Sequence, residues 1–506
     1  MGRVAHIVRC FLTCLVMRGT ERVHGEDRFD GLDAYVAAAK DRWEVPGLAL
    51  AVVKDGEVVL ARGYGICELG TSRNVTPDTA FDIASCAKTF TAASLALLID
   101  DGKLNWDDPV VKHLPEFQLA DAYLTNHITI RDLLSHRTGL PRGDELFSSP
   151  PNLTPQEILR RINHLTPQAE LRTKYIYSNA MYFVADQVVA RVSGQSCDEF
   201  LRQRIFKPLG MDATTFNVND VPRDRLAVRH WRSDDGIVPR PVAANFGVQS
   251  TVLDMAKFLQ MQLAEGAYAG RQIISPARVR DMQALQFSIP VVVRLKNHIY
   301  SAQFYGSGLG WAVLDYRGHK ILRHGGSWGA ASALVPDNDL CVVVLSNADL
   351  EGLADMLTYD LLDAYLAGPQ VAWDQGKWAS SWLKYEAPGK AYRPRDEAKA
   401  RLAESRIPNT SPTRPLGDYA ATYNSDLYGD LVITHRNGQL ALEFAGYTTA
   451  LTHWHHDSFY IRAPTRSTYD WFVTFASSAA NQPASISVKH IGWDKDEPDR
   501  VFRRRP

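Results

Sequence analysis

The chain contains no apolar run of the ~18 to 20 residues that a membrane-spanning helix needs. It also has no excess of either charge, since 56 Lys and Arg residues balance 57 Asp and Glu residues. The basic residues are scattered rather than collected in a patch, so the footprint of a nucleic-acid-binding protein is missing. We find no internal repeat and no low-complexity tract. The sequence therefore predicts neither an integral membrane segment nor a polyanion partner, and it leaves the oligomeric state open.

Cysteine is scarce as well, with six residues in 506. None of them forms the Cys-x-x-Cys spacing of a metal or redox site, and a chain of this length does not need a disulfide framework. We therefore expect buried free thiols rather than a cysteine-based metal or redox site. The six positions are Cys10, Cys14, Cys67, Cys86, Cys197 and Cys341.

The overall composition is that of an ordinary globular protein, with 45% hydrophobic and 22% charged residues. A chain of 506 residues is long enough for more than one domain, one of them with a substantial core. We predict four segments, which are a leader at 1–27, a large domain at 28–367, a linker at 368–412 and a C-terminal β domain at 413–506.

The predicted leader is similar in outline to a signal peptide. Arg3 and Arg9 precede the short apolar run Cys10–Met17, but Arg18 follows at once and no small-residue cleavage site is present. A disordered leader is the alternative interpretation. The compartment therefore stays unknown at this point.

Strand signals at both ends of residues 28–367 enclose a predominantly helical middle. The runs Leu48–Val53 and Val58–Tyr64 flank Asp55-Gly56, a pair that favours a tight hairpin turn. Strand signals return at Gly310–Leu314, Lys320–Arg323, Ala331–Val335 and Cys341–Ser346. Helix starts are indicated by the caps Thr129, Thr154 and Thr251. The helix that begins after Thr129 is predicted to end at Gly139, which Pro141 follows. The pattern predicts an α+β fold in which one sheet gathers both ends of this part of the chain.

Beyond residue 412 short runs of alternating polarity dominate. Four of them are clear: Leu431–Thr434, Leu440–Phe444, Trp471–Phe475 and Ile486–His490. The first two flank Asn437-Gly438, another pair typical of hairpin turns. We predict a small all-β, barrel-like domain here.

The strongest candidates for chemistry are Ser85 and Lys88, at the head of the apolar stretch Thr89–Ile99. Residues three apart lie on one face of a helix, so the hydroxyl and the amine meet on its first turn, beside free N–H groups and the positive end of the helix dipole. Apolar surroundings and this dipole favour loss of the lysine proton, which a base requires. The spacing recurs at Ser381 and Lys384, where no apolar helix follows, so we interpret that copy as structural.

A second polar group, Tyr177 and Asn179, directly precedes a helical run. A phenol near Lys88 is suited to pass a proton between nucleophile and leaving group, and an amide is suited to orient a substrate carbonyl. The structural alternative is a buried tyrosine that is hydrogen-bonded to the backbone.

A third group stands at the start of a strand-like run, where His324 is followed by Gly325, Gly326 and Ser327. Glycines allow a ligand to approach the backbone closely. We expect the backbone N–H groups of Ser85 and Ser327 to form an oxyanion hole, whose donors each stabilise a transition state by roughly 3 kcal/mol.

In chain order, these three groups resemble the three motifs of the serine β-lactamase and penicillin-binding-protein superfamily. The resemblance is strongest to class C β-lactamases and their esterase and D-aminopeptidase relatives, and it covers about residues 28–367. Leu133–Leu140 is similar to another stretch typical of the family. The C-terminal part, with Gly417–Tyr419, resembles a small β domain appended to bacterial members. The resemblance also implies a periplasmic or secreted location.

The resemblance implies a serine hydrolase, whose catalytic domain has an antiparallel sheet flanked by helices and an all-helical lobe. Ser85 then attacks a carbonyl, Lys88 and Tyr177 share the role of base, and water hydrolyses the acyl-enzyme. The substrate, a small molecule or short peptide, would be positioned by Asn179, His324, Gly326 and Ser327. No metal or cofactor is implied.

The third motif departs from that of the lactamases. They usually carry Lys-Thr-Gly there, and the lysine charge holds the carboxylate of the substrate. This chain has His324-Gly325-Gly326, as esterase and aminopeptidase relatives do, and a mostly neutral imidazole holds a carboxylate less well. We therefore expect weak or no β-lactamase activity, with hydrolysis of an ester, an amide or a D-amino-acid peptide bond.

Three other interpretations remain open. Residues 325–329 fit Gly-x-Ser-x-Gly, the nucleophile elbow of α/β-hydrolases with Ser327 as nucleophile, although that elbow needs a helix after the turn. His453 and His455 share one face of a strand and could hold zinc, although no third ligand has a familiar spacing. The third is a non-catalytic, penicillin-binding-like module that recognises peptides.

Overall fold

The computed structural model describes residues 27–148, 153–233, 236–239, 247–291, 302–348, 351–367, 373, 404, 406–444, 447–461, 471–477, 483–490 and 500–505. Almost all of the predicted leader and most of the predicted linker lie outside these residues. So do Cys10, Cys14 and the second serine–lysine pair, Ser381 and Lys384. The boundaries of the four predicted segments therefore stay predictions.

Most helices lie between the two groups of strands that build the first sheet. Within the described residues they are α1 (Leu32–Arg42), α2 (Lys88–Asp100), α3 (Val110–His113), α4 (Ala122–His127), α5 (Ile130–Leu134), α6 (Glu145–Ser148), α7 (Pro155–Ile162), α8 (Asn179–Ser193), α9 (Cys197–Leu201), α10 (Lys207–Leu209), α11 (Val252–Leu263), α12 (Pro276–Gln283) and α13 (Glu351–Leu366). A 3-10 turn at Ala84–Ala87 leads directly into α2.

Among the described residues before 350, the strands form one large sheet and three small ones. They are β1 (Gly47–Lys54), β2 (Glu57–Gly65), β3 (Phe81–Asp82), β4 (His230–Ser233), β5 (Gly236–Pro239), β6 (Gln249–Ser250), β7 (Ala267–Tyr268), β8 (Arg271–Gln272), β9 (Phe287–Ser288), β10 (Tyr305–Ser307), β11 (Ala312–Tyr316), β12 (His319–Gly326), β13 (Ala330–Val335) and β14 (Leu340–Ser346). The large sheet is antiparallel, with the order β2-β1-β14-β13-β12-β11-β10-β9. The small sheets are β3–β6, β4–β5 and β7–β8.

The large sheet joins the two ends of this part of the chain. β1 pairs with β14, and Leu48 lies opposite Ser346. β1 also pairs with β2 across the turn at Asp55-Gly56, where both residues have positive φ. The prediction of an α+β fold with one antiparallel sheet is confirmed.

Both faces of the sheet are covered by helices. Alternate side chains of β1 point to opposite faces. Ala49 and Ala51 belong to a core shared with the helical lobe, whereas Leu48 and Leu50 belong to a second core with α1 and α13. Because both faces are buried, β1 is apolar at nearly every position.

Helix α2 lies inside the helical lobe. Its side chains from Thr89 to Leu98 are all buried, and it packs against α8 and α12. The predicted buried helix is therefore present. It begins at Lys88, while Ser85 lies in the preceding 3-10 turn.

Threonine side chains cap the helices as predicted. Thr129 and Asp132 form a reciprocal capping box at the start of α5, in which each side chain accepts the backbone N–H of the other residue. The hydroxyls of Thr154 and Thr251 cap α7 and α11. These contacts fix the helix starts from local sequence alone.

Helix α5 is shorter than predicted. It ends at Leu134 rather than near Gly139, because His136 adopts a left-handed conformation with φ of 57°. The turn that follows is held by ion pairs from Arg137 and Arg172 to the buried Asp132 carboxylate.

The C-terminal sheet is almost closed on itself. Its strands are β15 (Ala421–Ser425), β16 (Gly429–Arg436), β17 (Gln439–Phe444), β18 (Tyr447–Ala450), β19 (Thr452–His455), β20 (Ser458–Ile461), β21 (Trp471–Ser477), β22 (Pro483–His490) and β23 (Arg500–Arg504). The order is β18-β17-β16-β15-β23-β22-β21-β20-β19, and the two edge strands are separated in the chain by Leu451 alone. This arrangement confirms the predicted all-β, barrel-like domain.

The hairpin between β15 and β16 contacts the helical lobe. Leu427 packs against the core of that lobe. Gly429 has a φ of 85°, and a Cβ atom there would lie 3.0 Å from a guanidinium nitrogen of Arg161 on α7. A side chain at residue 429 would therefore disturb this contact between the two parts of the chain.

The four cysteines in the described part of the chain, Cys67, Cys86, Cys197 and Cys341, are buried free thiols, which agrees with the expectation from their spacing. No helix in this described part of the chain is long and apolar enough to cross a membrane.

Candidate active site

The turn that carries Ser85 is held by side-chain and backbone contacts just before it. Ala84 has a left-handed φ of 44°, a conformation that is costly for a residue with a Cβ atom. The Ala84 N–H donates to Asp82 Oδ1 at 2.7 Å, and Asp82 in turn forms an ion pair with the buried Arg229. Sequence reasoning missed Asp82 and Arg229, because they are 147 residues apart in the chain.

Lys88 is in direct contact with Ser85. The Lys88 Nζ atom donates to Ser85 Oγ at 3.0 Å, which is within reach for proton transfer. The same Nζ lies 5.1 Å from the ring centroid of Tyr177 and 5.4 Å from that of Tyr182. The structure therefore brings together three residues that the sequence placed in one site: Ser85, Lys88 and Tyr177.

Tyr182 forms part of the wall around Lys88. Its hydroxyl donates to the carbonyl oxygen of Leu134 at 2.8 Å, and burial holds the pKa of this phenol well above its usual range. Tyr182 thus stays protonated and contributes an aromatic face to the site. Its position on α8, one helical turn after the second motif, is the signal by which sequence reasoning could have found it.

Tyr177 is positioned by the start of α8 and by His136. Ser178 caps α8, since its Oγ accepts the Met181 N–H at 3.3 Å. The Ser178 N–H donates to His136 Nδ1 at 3.1 Å, and the His136 ring lies 4.4 Å from the Tyr177 ring between centroids. His136 is therefore a structural residue that supports the second motif.

Asn179 makes a contact that the sequence did not predict. Its Nδ2 donates to Asp144 Oδ1 at 2.6 Å, and Asp144 Oδ2 accepts from Arg142 Nε at 2.9 Å. The Arg142 guanidinium carbon lies 4.9 Å from the Tyr177 ring centroid. The expected role of Asn179 in orienting a substrate carbonyl stays a prediction, and Arg142 and Asp144 join the residues around the site.

The third motif lies directly against the turn that carries Ser85. The Cys86 thiol donates to the His324 carbonyl oxygen at 3.4 Å. A Cβ atom on Gly326 would be 2.5 Å from the Ile83 carbonyl oxygen, so a side chain cannot fit there without moving the backbone. The glycine is therefore required by the close approach of β12 to the residues just before Ser85.

Ser327 lies in the turn after β12 and is exposed. The chain turns through Ser327–Gly329 and continues as β13, antiparallel to β12. A nucleophile elbow needs a helix after its turn. The α/β-hydrolase interpretation with Ser327 as nucleophile is therefore wrong, since the element that follows is a strand.

His324 is neutral in this environment. Burial, together with the positive charge of Lys88, lowers the pKa of the His324 imidazole to about 3. Its Nδ1 lies 2.8 Å from the Gly325 carbonyl oxygen, which can only accept a hydrogen bond. The proton is therefore on Nδ1, and Nε2 presents an electron pair rather than a charge.

Two other candidates do not contribute reactive groups. Burial raises the pKa of the Cys86 thiol to about 12, so this cysteine is packed rather than nucleophilic. In the β domain, His453 Nε2 donates to the His456 carbonyl oxygen at 2.9 Å, and Asp457 accepts from Tyr419. Among the described residues no group of three or more side chains is arranged to hold a metal ion, and the zinc interpretation of His453 and His455 has no support.

The family model described as "Beta-lactamase" matches residues 32–366, about two thirds of the chain. The chain belongs to the β-lactamase family. A second model, a domain of unknown function called DUF3471, matches residues 405–503. The predicted resemblance to the serine β-lactamase and penicillin-binding-protein superfamily is confirmed.

Named relatives of this β-lactamase-family chain include hydrolases and a penicillin-binding protein. It is 30% identical to Unguisins hydrolase ungD' of Aspergillus campestris over 81% of this chain and 79% of that protein. It is also 30% identical to Penicillin-binding protein 4 of Amycolatopsis lactamdurans, over 67% and 88% of the two chains. Together with the family model, these relatives identify a serine hydrolase in general terms.

A solved structure shares the fold. The octameric penicillin-binding protein homologue from Pyrococcus abyssi aligns with a TM-score of 0.58 at 21% identity, covering 94% of this chain and 99% of that one. At this identity the likeness concerns the fold alone. It extends over the β-lactamase-like part and the C-terminal part of the chain.

Proposed function

We propose that this protein hydrolyses an ester, an amide or a D-amino-acid peptide bond through an acyl-enzyme on Ser85. The observation that carries the proposal is the 3.0 Å hydrogen bond from Lys88 Nζ to Ser85 Oγ, beside the Tyr177 ring. A hydroxyl, a base and a second proton carrier are the groups that nucleophilic catalysis by serine requires.

The proposed reaction has two halves. Ser85 Oγ attacks the carbonyl carbon while its proton passes to the Lys88–Tyr177 pair, which then protonates the leaving group as the acyl bond to the leaving group breaks. In the second half water attacks the acyl-enzyme, gives its proton to the same pair and releases the acid as Ser85 regains its hydrogen. The backbone N–H groups of Ser85 and Ser327 are the proposed donors to the oxyanion.

The proposed substrate carries no carboxylate on the leaving-group side of the bond that is broken. A neutral His324 that presents the Nε2 electron pair offers a carboxylate no charge, and it favours a group that donates a hydrogen bond. Weak or absent β-lactamase activity follows from this, because β-lactams present a carboxylate at that position. The name of the unguisins hydrolase relative supports hydrolysis as the reaction class.

The test compares Ser85→Ala with Ser327→Ala in the full-length chain. Short p-nitrophenyl esters, D-alanyl peptides and a chromogenic cephalosporin are assayed side by side, and labelling by a fluorophosphonate is followed. We expect S85A to lose both labelling and turnover, by about 1,000-fold or more in kcat, whereas S327A stays labelled. Full ester turnover by S85A would overturn the proposal. Labelling of the wild type without turnover of any substrate would indicate a peptide-recognition module instead.

A further inference from the structure

Arg142 and Asp144 form an ion pair at the edge of the Tyr177 side of the site. Arg142 Nε donates to Asp144 Oδ2 at 2.9 Å, and Asp144 Oδ1 accepts from Asn179 Nδ2 at 2.6 Å. The guanidinium carbon lies 4.9 Å from the Tyr177 ring centroid. We call these two residues the Arg142–Asp144 pair.

The backbone around the pair is fixed independently of the two side chains. The Arg142 carbonyl oxygen accepts the backbone N–H groups of Asn179 and Ala180, both at 3.0 Å, at the start of α8. Gly143 has a φ of 69°, and a Cβ atom there would be 2.7 Å from the Cβ of Ala180. Side-chain changes at Arg142 and Asp144 therefore leave the main anchors of this loop in place.

The pair contributes little to folding stability. The Arg142 and Asp144 side chains keep 31% and 39% of their surface exposed, and ion pairs with that exposure are worth little in stability. Their position beside the proposed proton carriers gives them a different potential effect. A charge near a group that gains and loses a proton changes how readily the proton leaves.

The charged and titratable groups around the Lys88–Tyr177 pair come from several elements. They are Arg142 and Asp144 in the loop before α6, His136 after α5, Tyr175 before α8, Tyr182 and Asp186 on α8, and His324 on β12. In this set Arg142 is the fixed positive charge, and Asp144 is the carboxylate bonded directly to it.

We propose that the Arg142–Asp144 pair sets the pH at which the Lys88–Tyr177 pair can accept the serine proton. The proposal rests on the proposed function of Ser85. Arg142 favours loss of a proton from the pair, because it repels positive charge and attracts negative charge, and Asp144 opposes that effect while it holds Arg142 over the ring. Both are positioning residues, since neither needs to touch the reacting atoms.

The test is the acid limb of the pH profile of kcat/KM on a p-nitrophenyl ester. Arg142→Met leaves the Asp144 charge and moves the limb to higher pH, whereas Asp144→Asn leaves the Arg142 charge and moves it to lower pH. We expect each shift to be about half a pH unit, the size for a unit charge several ångströms away in a partly exposed site. Arg142→Lys keeps the charge and stays near the wild type, and the double variant R142M/D144N returns to it.

Opposite shifts separate this role from a structural one, which would lower activity in both variants without moving the limb. The matched control is Arg62→Met, which breaks an exposed ion pair between Arg62 and Asp33 in α1. This ion pair lies on the other face of the sheet, so the pH profile of the variant should equal that of the wild type. Shifts in the same direction, or no shift in either variant, would overturn the proposal. The proposed function is tested separately by S85A, so a profile that does not move in an enzyme that needs Ser85 contradicts only the role of the pair.

Discussion

The two sides of the site that meet at Lys88 are built by different means. On the nucleophile side, β12 approaches so closely that a Cβ atom on Gly326 would lie 2.5 Å from the Ile83 carbonyl oxygen. On the tyrosine side, polar side chains hold the motif: Ser178 caps α8, and Asp144 binds Asn179. The closely packed backbone at Gly326 cannot move to accept an added atom, whereas side chains can shift to accommodate a change. Changes on the first side should therefore abolish the geometry, and changes on the second should alter it by degrees.

The largest expected effect comes from Gly326→Ala. The added methyl group has to displace the backbone at Ile83, two residues before Ser85, and a displacement of that kind lowers kcat/KM by about 100-fold or more. Gly325→Ala is the matched control, because the nearest atom to its Cβ would be 3.7 Å away. Steady-state kinetics on a p-nitrophenyl ester measure both. Equal activity of the two variants would contradict the steric account of the nucleophile side.

A smaller effect, on the pH dependence of stability, is expected when His324 is replaced by a residue that does not titrate. Its pKa is about 3 in the folded protein and ~6.5 in an unfolded chain, so only the unfolded chain takes up this proton as the pH falls below about 6.5. The stabilisation from the neutral ring is complete above that pH and is lost as the pH falls towards 3. Between pH 8 and pH 4, the free energy of unfolding of the wild type should therefore fall by about 2 to 3 kcal/mol more than that of His324→Asn.

Urea unfolding at a series of pH values measures this difference. The two proteins should have parallel stability curves above pH 7, where His324 is neutral in both the folded and the unfolded chain. Curves that remain parallel down to pH 4 would show that His324 is not held neutral by its surroundings.

The smallest effect is expected on the tyrosine side, from Ser178→Ala. Loss of the α8 cap should lower stability by about 1 kcal/mol and activity by less than about 10-fold, since His136 and Asp144 still hold the motif. Ser196→Ala removes a similar cap from α9 and serves as the control, with unchanged activity. Its loss of stability should be smaller, because the buried Ser178 hydroxyl also donates to the Pro141 carbonyl oxygen at 2.7 Å. A fall in activity as large as that of G326A would remove the distinction between the two sides.

The sequence could predict the features that depend on residues close together in the chain. Ser85 and Lys88 are three residues apart, so helical geometry alone places them together, and the caps at Thr129, Thr154 and Thr251 are equally local. The alternation of strands with a helical middle was enough to predict the α+β class. One prediction from local sequence was wrong: α5 ends before Gly139, because His136 adopts a left-handed conformation.

The remaining contacts depend on how distant segments approach each other. Asn179 has a side-chain partner in Asp144 because the loop with Gly143 packs against α8, and no spacing rule joins residues 35 positions apart. The ion pair of Asp82 with Arg229 likewise forms only when β3 meets the segment before β4. The lowered pKa of His324 also follows from that packing. The sequence could predict only that a histidine is mostly neutral, not how strongly its surroundings favour the neutral form.

The central claim is that Ser85 forms the covalent intermediate. The most direct measurement is mass spectrometry of the full-length protein after reaction with a fluorophosphonate, followed by peptide mapping of the adduct. We expect one adduct per chain on the peptide that contains Ser85, and none in S85A. An adduct on Ser327, or steady ester turnover by a protein that carries no adduct on Ser85, would contradict it.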